Sequence, residues 1–243
     1  MFIIDSHNHL GDCRTFGYDF TENDVFEAFH DAGIEGAILQ PFPGCTDVRK
    51  THNRIAKLAQ DNPGKFFGLS SVNPHLPGDE FEKESIRAIK ELGFKGVKMH
   101  TVGHAVNPLS KDGGRIVEMG KTLGVPLCIH TGTGMPFSLP SLALPIAKSY
   151  PYPVVLAHAG AGLLTEEAIV IAQQCENLYL EMSWCAANQI QAAINAIGSS
   201  RVMFGSDSLI NLKNEINKFM TIGLKDVQLE DVFYKSAKTV YGL

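Results

Sequence analysis

The chain has 243 residues, 44% hydrophobic and 19% charged, and its 21 basic and 26 acidic side chains leave a net charge of -5. This supplies apolar surface for one large core and excludes a disordered chain. No basic run stands out, which argues against nucleic acid or an anionic membrane as partner. The cysteines, Cys13, Cys45, Cys128, Cys175 and Cys185, are odd in number and scattered, as expected of reduced thiols rather than a disulfide framework. The opening stretch has no basic leader, and its apolar run breaks at Asp5. No run nears the roughly 18 apolar residues of a membrane span. The expectation is a soluble, cytoplasmic protein.

Eight short runs of strand length follow one another at similar spacing. They lie at 2–9 (FIIDSHNH), 36–42 (GAILQPF), 66–72 (FFGLSSV), 96–101 (GVKMHT), 126–131 (PLCIHT), 154–159 (VVLAHA), 178–184 (LYLEMSW) and 202–208 (VMFGSDS). Each is followed by a segment of helical periodicity, near 21–33, 50–62, 79–92, 113–124, 139–150, 165–175, 186–197 and 212–223, with a ninth near 228–240. Thr21, Thr165 and Asn211 stand at helix starts, and Gly33, Gly93, Gly124 and Gly198 at helix ends. Strands buried on both faces need helices outside them, and eight βα units close a parallel barrel. The predicted fold is a (β/α)₈ TIM barrel forming a single domain over 1–243. An open doubly wound sheet fits less well, since no GxGxxG follows the first run.

Five of the eight runs end in ionisable residues: His7 and His9, Lys98 and His100, His130, His158, and Asp207. In this fold, that end of the strands carries catalytic groups. His7 and His9 are two apart on a strand, so their imidazoles point to the same side and can meet one cation. Zinc accepts both imidazole nitrogen and carboxylate oxygen. His130 and Asp207 are the best candidates to complete a site with room for water. Manganese, iron or nickel could take the same donors.

These residues also carry a family resemblance. The chain resembles the amidohydrolase superfamily, specifically the amidohydrolase-2 type of metal-dependent hydrolase related to aminocarboxymuconate-semialdehyde decarboxylase. The matching stretches are IIDSHNH, GFKGVKMH, PLCIHTG, VVLAHAG and MFGSDS, with SAKTVYGL resembling the closing helix. The resemblance implies that His7, His9, His130 and Asp207 bind the metal. Asp207 would also sit beside the nucleophilic water, and His158 would act as acid/base or polarise the substrate. It implies one metal ion, zinc by preference. A carboxylated Lys98 bridging a second ion is the alternative, and a buried lysine paired with Asp5 or Glu181 is a third reading. The expected reaction is hydrolysis of a C–N or C–O bond in a small-molecule amide, lactone or ester. The alternative is non-oxidative decarboxylation of an unsaturated or aromatic acid, to which the compact length of this chain is less suited.

Substrate contacts are expected from Arg49, His100 and Trp184, with Arg14 a further loop arginine able to clamp a carboxylate. Cys128 is read as core and Cys185 as inert. Gly132 and Gly134 would let the chain pass close to the metal. Analogy within the family admits a homodimer.

Overall fold

The computed structural model describes residues 1–132 and 136–243. Nine strands run through it: β1 (Ile4–Cys13), β2 (Tyr18–Phe20), β3 (Gly36–Pro41), β4 (Phe66–Gly68), β5 (Val97–Met99), β6 (Leu127–His130), β7 (Val154–Ala157), β8 (Leu178–Glu181) and β9 (Val202–Met203). All except β2 pair in parallel, in the orders β1-β3-β4 and β5-β6-β7-β8-β9. Backbone bonds close the two seams between these groups. Ser70 N donates to Gly96 O (2.9 Å) and Lys98 N to Ser70 O (2.8 Å), while Ser6 N donates to Phe204 O (3.1 Å) and Asp207 N to His7 O (2.8 Å). The fold is a (β/α)₈ barrel whose eight parallel strands are the eight runs seen in the sequence.

The helices are α1 (Glu22–Ala32), α2 (Val48–Asp61), α3 (Glu80–Lys90), α4 (Lys111–Leu123), α5 (Leu144–Ser149), α6 (Thr165–Ala172), α7 (Ala187–Ile197), α8 (Leu212–Thr221), α9 (Asp226–Glu230) and α10 (Ser236–Tyr241). Each long helix buries one stripe. On α4 the stripe is Gly113, Ile116, Val117, Gly120 and Leu123, at the spacing a core-facing helix needs. Thr21 caps α1 in a reciprocal pair with Asp24, and Gly33 ends it at φ 71°. The other two expected caps do not form. Thr165 lies inside α6, its hydroxyl 3.5 Å from Cys185 Sγ. The side chain of Asn211 turns to Glu215 instead (2.7 Å).

Two packed regions result. The larger lies between strands and helices. The smaller fills the barrel, where Ile38, Leu69, Cys128, Val155 and Met203 meet Ala237, Val240 and Tyr241 of α10. The C-terminal helix therefore stops the end of the barrel opposite the histidines. Each such fully buried aliphatic side chain contributes roughly 1.5–3 kcal/mol relative to exposure.

Three expectations change. The segment near 139–150 opens as 3₁₀ turns at Pro136–Ser138 and Pro140–Ala143 before α5, because Pro136, Pro140 and Pro145 cannot donate to a helical ladder. The ninth helix is interrupted by a π turn at Asp231–Lys235. The loop after the first run is a hairpin: β1 continues to Cys13, turns at Gly17 (φ 70°) and pairs antiparallel with β2, Cys13 opposite Tyr18. This hairpin carries Phe16, Tyr18 and Phe20 to the barrel mouth.

Candidate metal centre

His7 and His9 lie on β1 and are buried, at 3% exposure each. Asp207 lies just beyond β9, fastened by its N–H to the His7 carbonyl. One ligand atom from each of these three residues falls within 4.8 Å of the other two. His9 Nε2 is 3.1 Å from Asp207 Oδ1, and His7 Nε2 is 3.4 Å from the same oxygen.

The other ring nitrogens decide the chemistry. His7 Nδ1 faces Glu181 Oε2 at 2.8 Å, and His9 Nδ1 faces Pro41 O at 3.3 Å. A carboxylate and a carbonyl only accept, so in the neutral form of either ring Nδ1 carries the proton and Nε2 presents its lone pair. Two imidazole nitrogens and a carboxylate oxygen therefore converge, with Lys98 Nζ also 3.2 Å from His7 Nε2. An imidazole whose far nitrogen donates to a carboxylate or carbonyl is the usual form of a metal-ligating histidine. The donor set fits a divalent metal.

Glu181, on β8, organises this centre and escaped sequence reasoning as a functional group. It is 1% exposed and accepts from His7 Nδ1, from the N–H groups of His158 (3.0 Å) and Ser183 (2.6 Å), and from the Ser183 hydroxyl (3.0 Å). Its signal was the run LYLEMSW, in which an acidic residue interrupts an apolar strand. Gly205 makes the approach feasible: a Cβ there would stand 2.5 Å from Glu181 Oε1 and 2.9 Å from His7 Cβ. Asp5 is a second missed group. It accepts from His7 N (3.0 Å), Asn8 Nδ2 (2.9 Å), Ser206 N (3.1 Å) and the Ser206 hydroxyl, tying β1 to the segment after β9. Burial pushes its carboxyl up to about 7 against those bonds.

His158 follows β7. Its Nδ1 is 2.7 Å from Ser183 Oγ, whose hydroxyl is committed to Glu181, and its Nε2 is 4.0 Å from Asp207 Oδ1. By the same donor argument Nε2 of His158 is unprotonated. Burial brings this imidazole down to about 4, outweighing Asp207. His130 ends β6 and stands outside the three-ligand cluster, against the ring of His158 (4.8 Å between centroids) and stacked on His100 (4.4 Å). Among the described residues its buried Nδ1 has no partner. Burial holds His100 and His130 well below the ordinary imidazole value. Asp207 moves the other way: burial would raise it, but His158, His9 and His7 together hold it well below the usual carboxylate range.

Trp184 lines the mouth, half exposed, and its Nε1 donates to Asp207 Oδ2 at 2.8 Å. Its own N–H donates to the buried Glu215 (3.1 Å), which Lys218 also binds (2.6 Å). His158, Trp184 and Asp207 all have positive φ, at 65°, 64° and 61°. For non-glycine residues each costs on the order of 1–3 kcal/mol and is characteristic of working sites.

Other expected residues are placed differently. Arg49 lies on α2 and pairs with Glu84 at 3.2 Å, away from the residues that line the mouth. Lys98 is buried and points at His7 Nε2 (3.2 Å) and Cys128 Sγ (3.8 Å). Among the described residues it forms no ion pair with Asp5 or Glu181. Cys128 belongs to the inner core, and burial pushes the Cys185 thiol up to about 11. Gly132 passes close to Ala161, whose Cβ would be 3.0 Å from a Cβ at 132. Gly134 lies outside the described residues. No helix among the described residues is long and apolar enough to cross a membrane.

No curated protein matches the chain. Solved structures share its fold at low identity. A candidate amidohydrolase from Staphylococcus aureus is 15% identical, with TM-score 0.75 over 100% of both chains. A candidate 2-pyrone-4,6-dicarboxylic acid hydrolase from Pseudomonas putida is 18% identical, with TM-score 0.75 over 99% of this chain and 97% of that one. A 5-carboxyvanillate decarboxylase from Sphingomonas paucimobilis is 12% identical, with TM-score 0.76 over 100% of this chain and 99% of that one. The amidohydrolase family model Amidohydro_2 matches residues 4–243, and the chain belongs to that metal-dependent family.

Proposed function

We propose that this chain, as one barrel domain over 1–243, is a cytoplasmic hydrolase that cleaves a C–N or C–O bond of a small amide, lactone or ester. His7, His9 and Asp207 would hold one divalent cation, with His130, which ends β6 outside that cluster, as the fourth donor, and the imidazole-rich set favours zinc. The observation that carries this reading is the convergence of the bare Nε2 atoms of His7 and His9 on Asp207 Oδ1. The bound cation would supply Lewis acidity, lowering the pKa of a coordinated water from about 15.7 towards about 7 and polarising a carbonyl.

The chain's own groups do the rest. Asp207 is held ionised and accepts the proton of the attacking water. His158 starts neutral with Nε2 bare, so it cannot donate to an oxyanion until it has gained a proton. Asp207 is the group next to that nitrogen. The proton therefore passes from water to Asp207, to His158 Nε2, and to the leaving group. Glu181 and Ser183 keep the His158 ring in the tautomer this requires. His100 and Trp184 border the space where substrate sits.

Decarboxylation on the same ligands is the competing reading, since proteins of this fold include a 2-pyrone-4,6-dicarboxylic acid hydrolase candidate and a 5-carboxyvanillate decarboxylase. The deciding experiment loads the chelated protein with zinc and offers a panel of esters, lactones, amides and aromatic acids. Metal-dependent release of acid and alcohol or amine supports hydrolysis. Metal-dependent carbon dioxide release with no hydrolysis replaces it.

A further inference from the structure

The cavity above the cluster encloses about 290 Å³, at the small end of the range of roughly 300–1,000 Å³ for small-molecule sites. Its wall is a series of aromatic faces leading outward from a metal-ligand candidate. Phe42 stacks on His9 with centroids 4.3 Å apart and planes at 8°. Tyr18 follows at 5.9 Å from Phe42, and Phe16 at 6.1 Å from Tyr18. Phe16 is 64% exposed and Trp184 50% exposed, so large apolar faces await a cover at the rim.

The wall also carries polar groups. His100 and His130 line it as a stacked pair, 4.4 Å between ring centroids. Ser208, also lining the cavity, has a buried hydroxyl with no partner among the described residues and can donate to or accept from an uncharged group. Asp207 is negative. Among the described residues lining the cavity there is no lysine or arginine. Arg49 is turned to Glu84 on the helical layer, and Arg14 is exposed and not among the lining residues. A carboxylate lying away from the reacting carbonyl would lose its water against aromatic carbon without gaining a cation.

The geometry points to a compact, flat, uncharged ester, lactone or amide as substrate, its ring laid against the exposed Phe16 and Trp184 faces and no carboxylate beyond the scissile carbonyl. This rests on the hydrolytic reading above. In the reaction the water oxygen bonds to the carbonyl carbon, the C–O or C–N bond breaks, and the proton lost by water ends on the leaving group.

The test uses matched pairs with the zinc-loaded protein: phenyl acetate against 4-acetoxybenzoate, and acetanilide against 4-acetamidobenzoate, each corrected for its uncatalysed rate. The expected kcat/KM is about tenfold or more in favour of the neutral member, which corresponds to about 1.4 kcal/mol. Phe16→Arg should raise the carboxylated members by about tenfold through a new guanidinium–carboxylate pair, and an unchanged ratio would count against the aromatic rim as the source of selectivity. A second readout needs no turnover. Trp184 is the single tryptophan, so its emission in the metal-free protein reports occupancy of the cavity. Benzamide should saturate that signal at about a tenth of the benzoate concentration. Equal or tighter binding of benzoate, or equal or faster turnover of the carboxylated esters, overturns the inference. Preference for benzamide with no metal-dependent hydrolysis of any pair upholds the ligand class while removing the hydrolytic reading.

Discussion

The indole Nε1–H of Trp184 donates to Asp207 Oδ2 at 2.8 Å, while Asp207 Oδ1 faces His9 Nε2 at 3.1 Å. One oxygen is thus held by a neutral donor and the other faces the His7–His9 pair. Trp184→Phe keeps the flat wall but frees Oδ2. We expect kcat to fall by about tenfold, the effect of roughly 1.4 kcal/mol, with metal content unchanged. Steady-state kinetics beside elemental analysis of the variant tests this, and a variant that loses its metal would assign Trp184 to metal retention instead.

Glu181→Gln removes the carboxylate that polarises His7. Partners of this kind typically account for about 10- to 100-fold in metal affinity, and the loss should appear as faster stripping by a chelator. Circular dichroism must show the fold retained, because the same carboxylate also binds the N–H groups of His158 and Ser183.

His158→Asn should lower turnover by about 10²- to 10⁴-fold, the usual contribution of a positioned acid–base group, and leave one metal per chain. Loss of the metal in this variant would make His158 a ligand. Close to two equivalents of metal in the unmodified protein would instead bring Lys98 into the site.

Glu84 predicts the acid limb of stability. It is bonded to His52 Nδ1 (2.7 Å) and Arg87 (2.7 Å) between α2 and α3. Burial would raise its carboxyl, but His52 and Arg87 together bring it down to about 2 from 4.5. A folded-state value below the unfolded one stabilises fully above the unfolded value and is lost as pH falls from about 4.5 through about 2. Thermal denaturation against pH should show this drop, and Glu84→Gln should flatten it. The variant should also lose on the order of 3 kcal/mol at neutral pH, because it breaks a largely buried pair from one side. An acid limb of unchanged slope in Glu84→Gln would place the titrating group elsewhere.

The repeat of eight strand-length runs, and the ionisable residues at five of their ends, were written in the sequence. Periodicity reports which face of an element is buried, and polar residues in a buried strand end are conspicuous without any coordinates. The HxH pair was legible for the same local reason, since a two-residue step on a strand returns to the same side. What only the tertiary structure decided was pairing between distant segments. That Glu181 accepts from His7, 174 positions away, depends on β1 and β8 flanking β9 and on Gly205 leaving room between them. The partners that leave Nε2 of His7, His9 and His158 bare are a carboxylate, a carbonyl and a serine hydroxyl from three different segments, and no local pattern encodes them. Arg49 illustrates the converse: a loop arginine near a strand end looks like a substrate clamp, yet helix packing brings it to Glu84. Local sequence sets what each segment can offer. Closure of the barrel sets which of those offers meet.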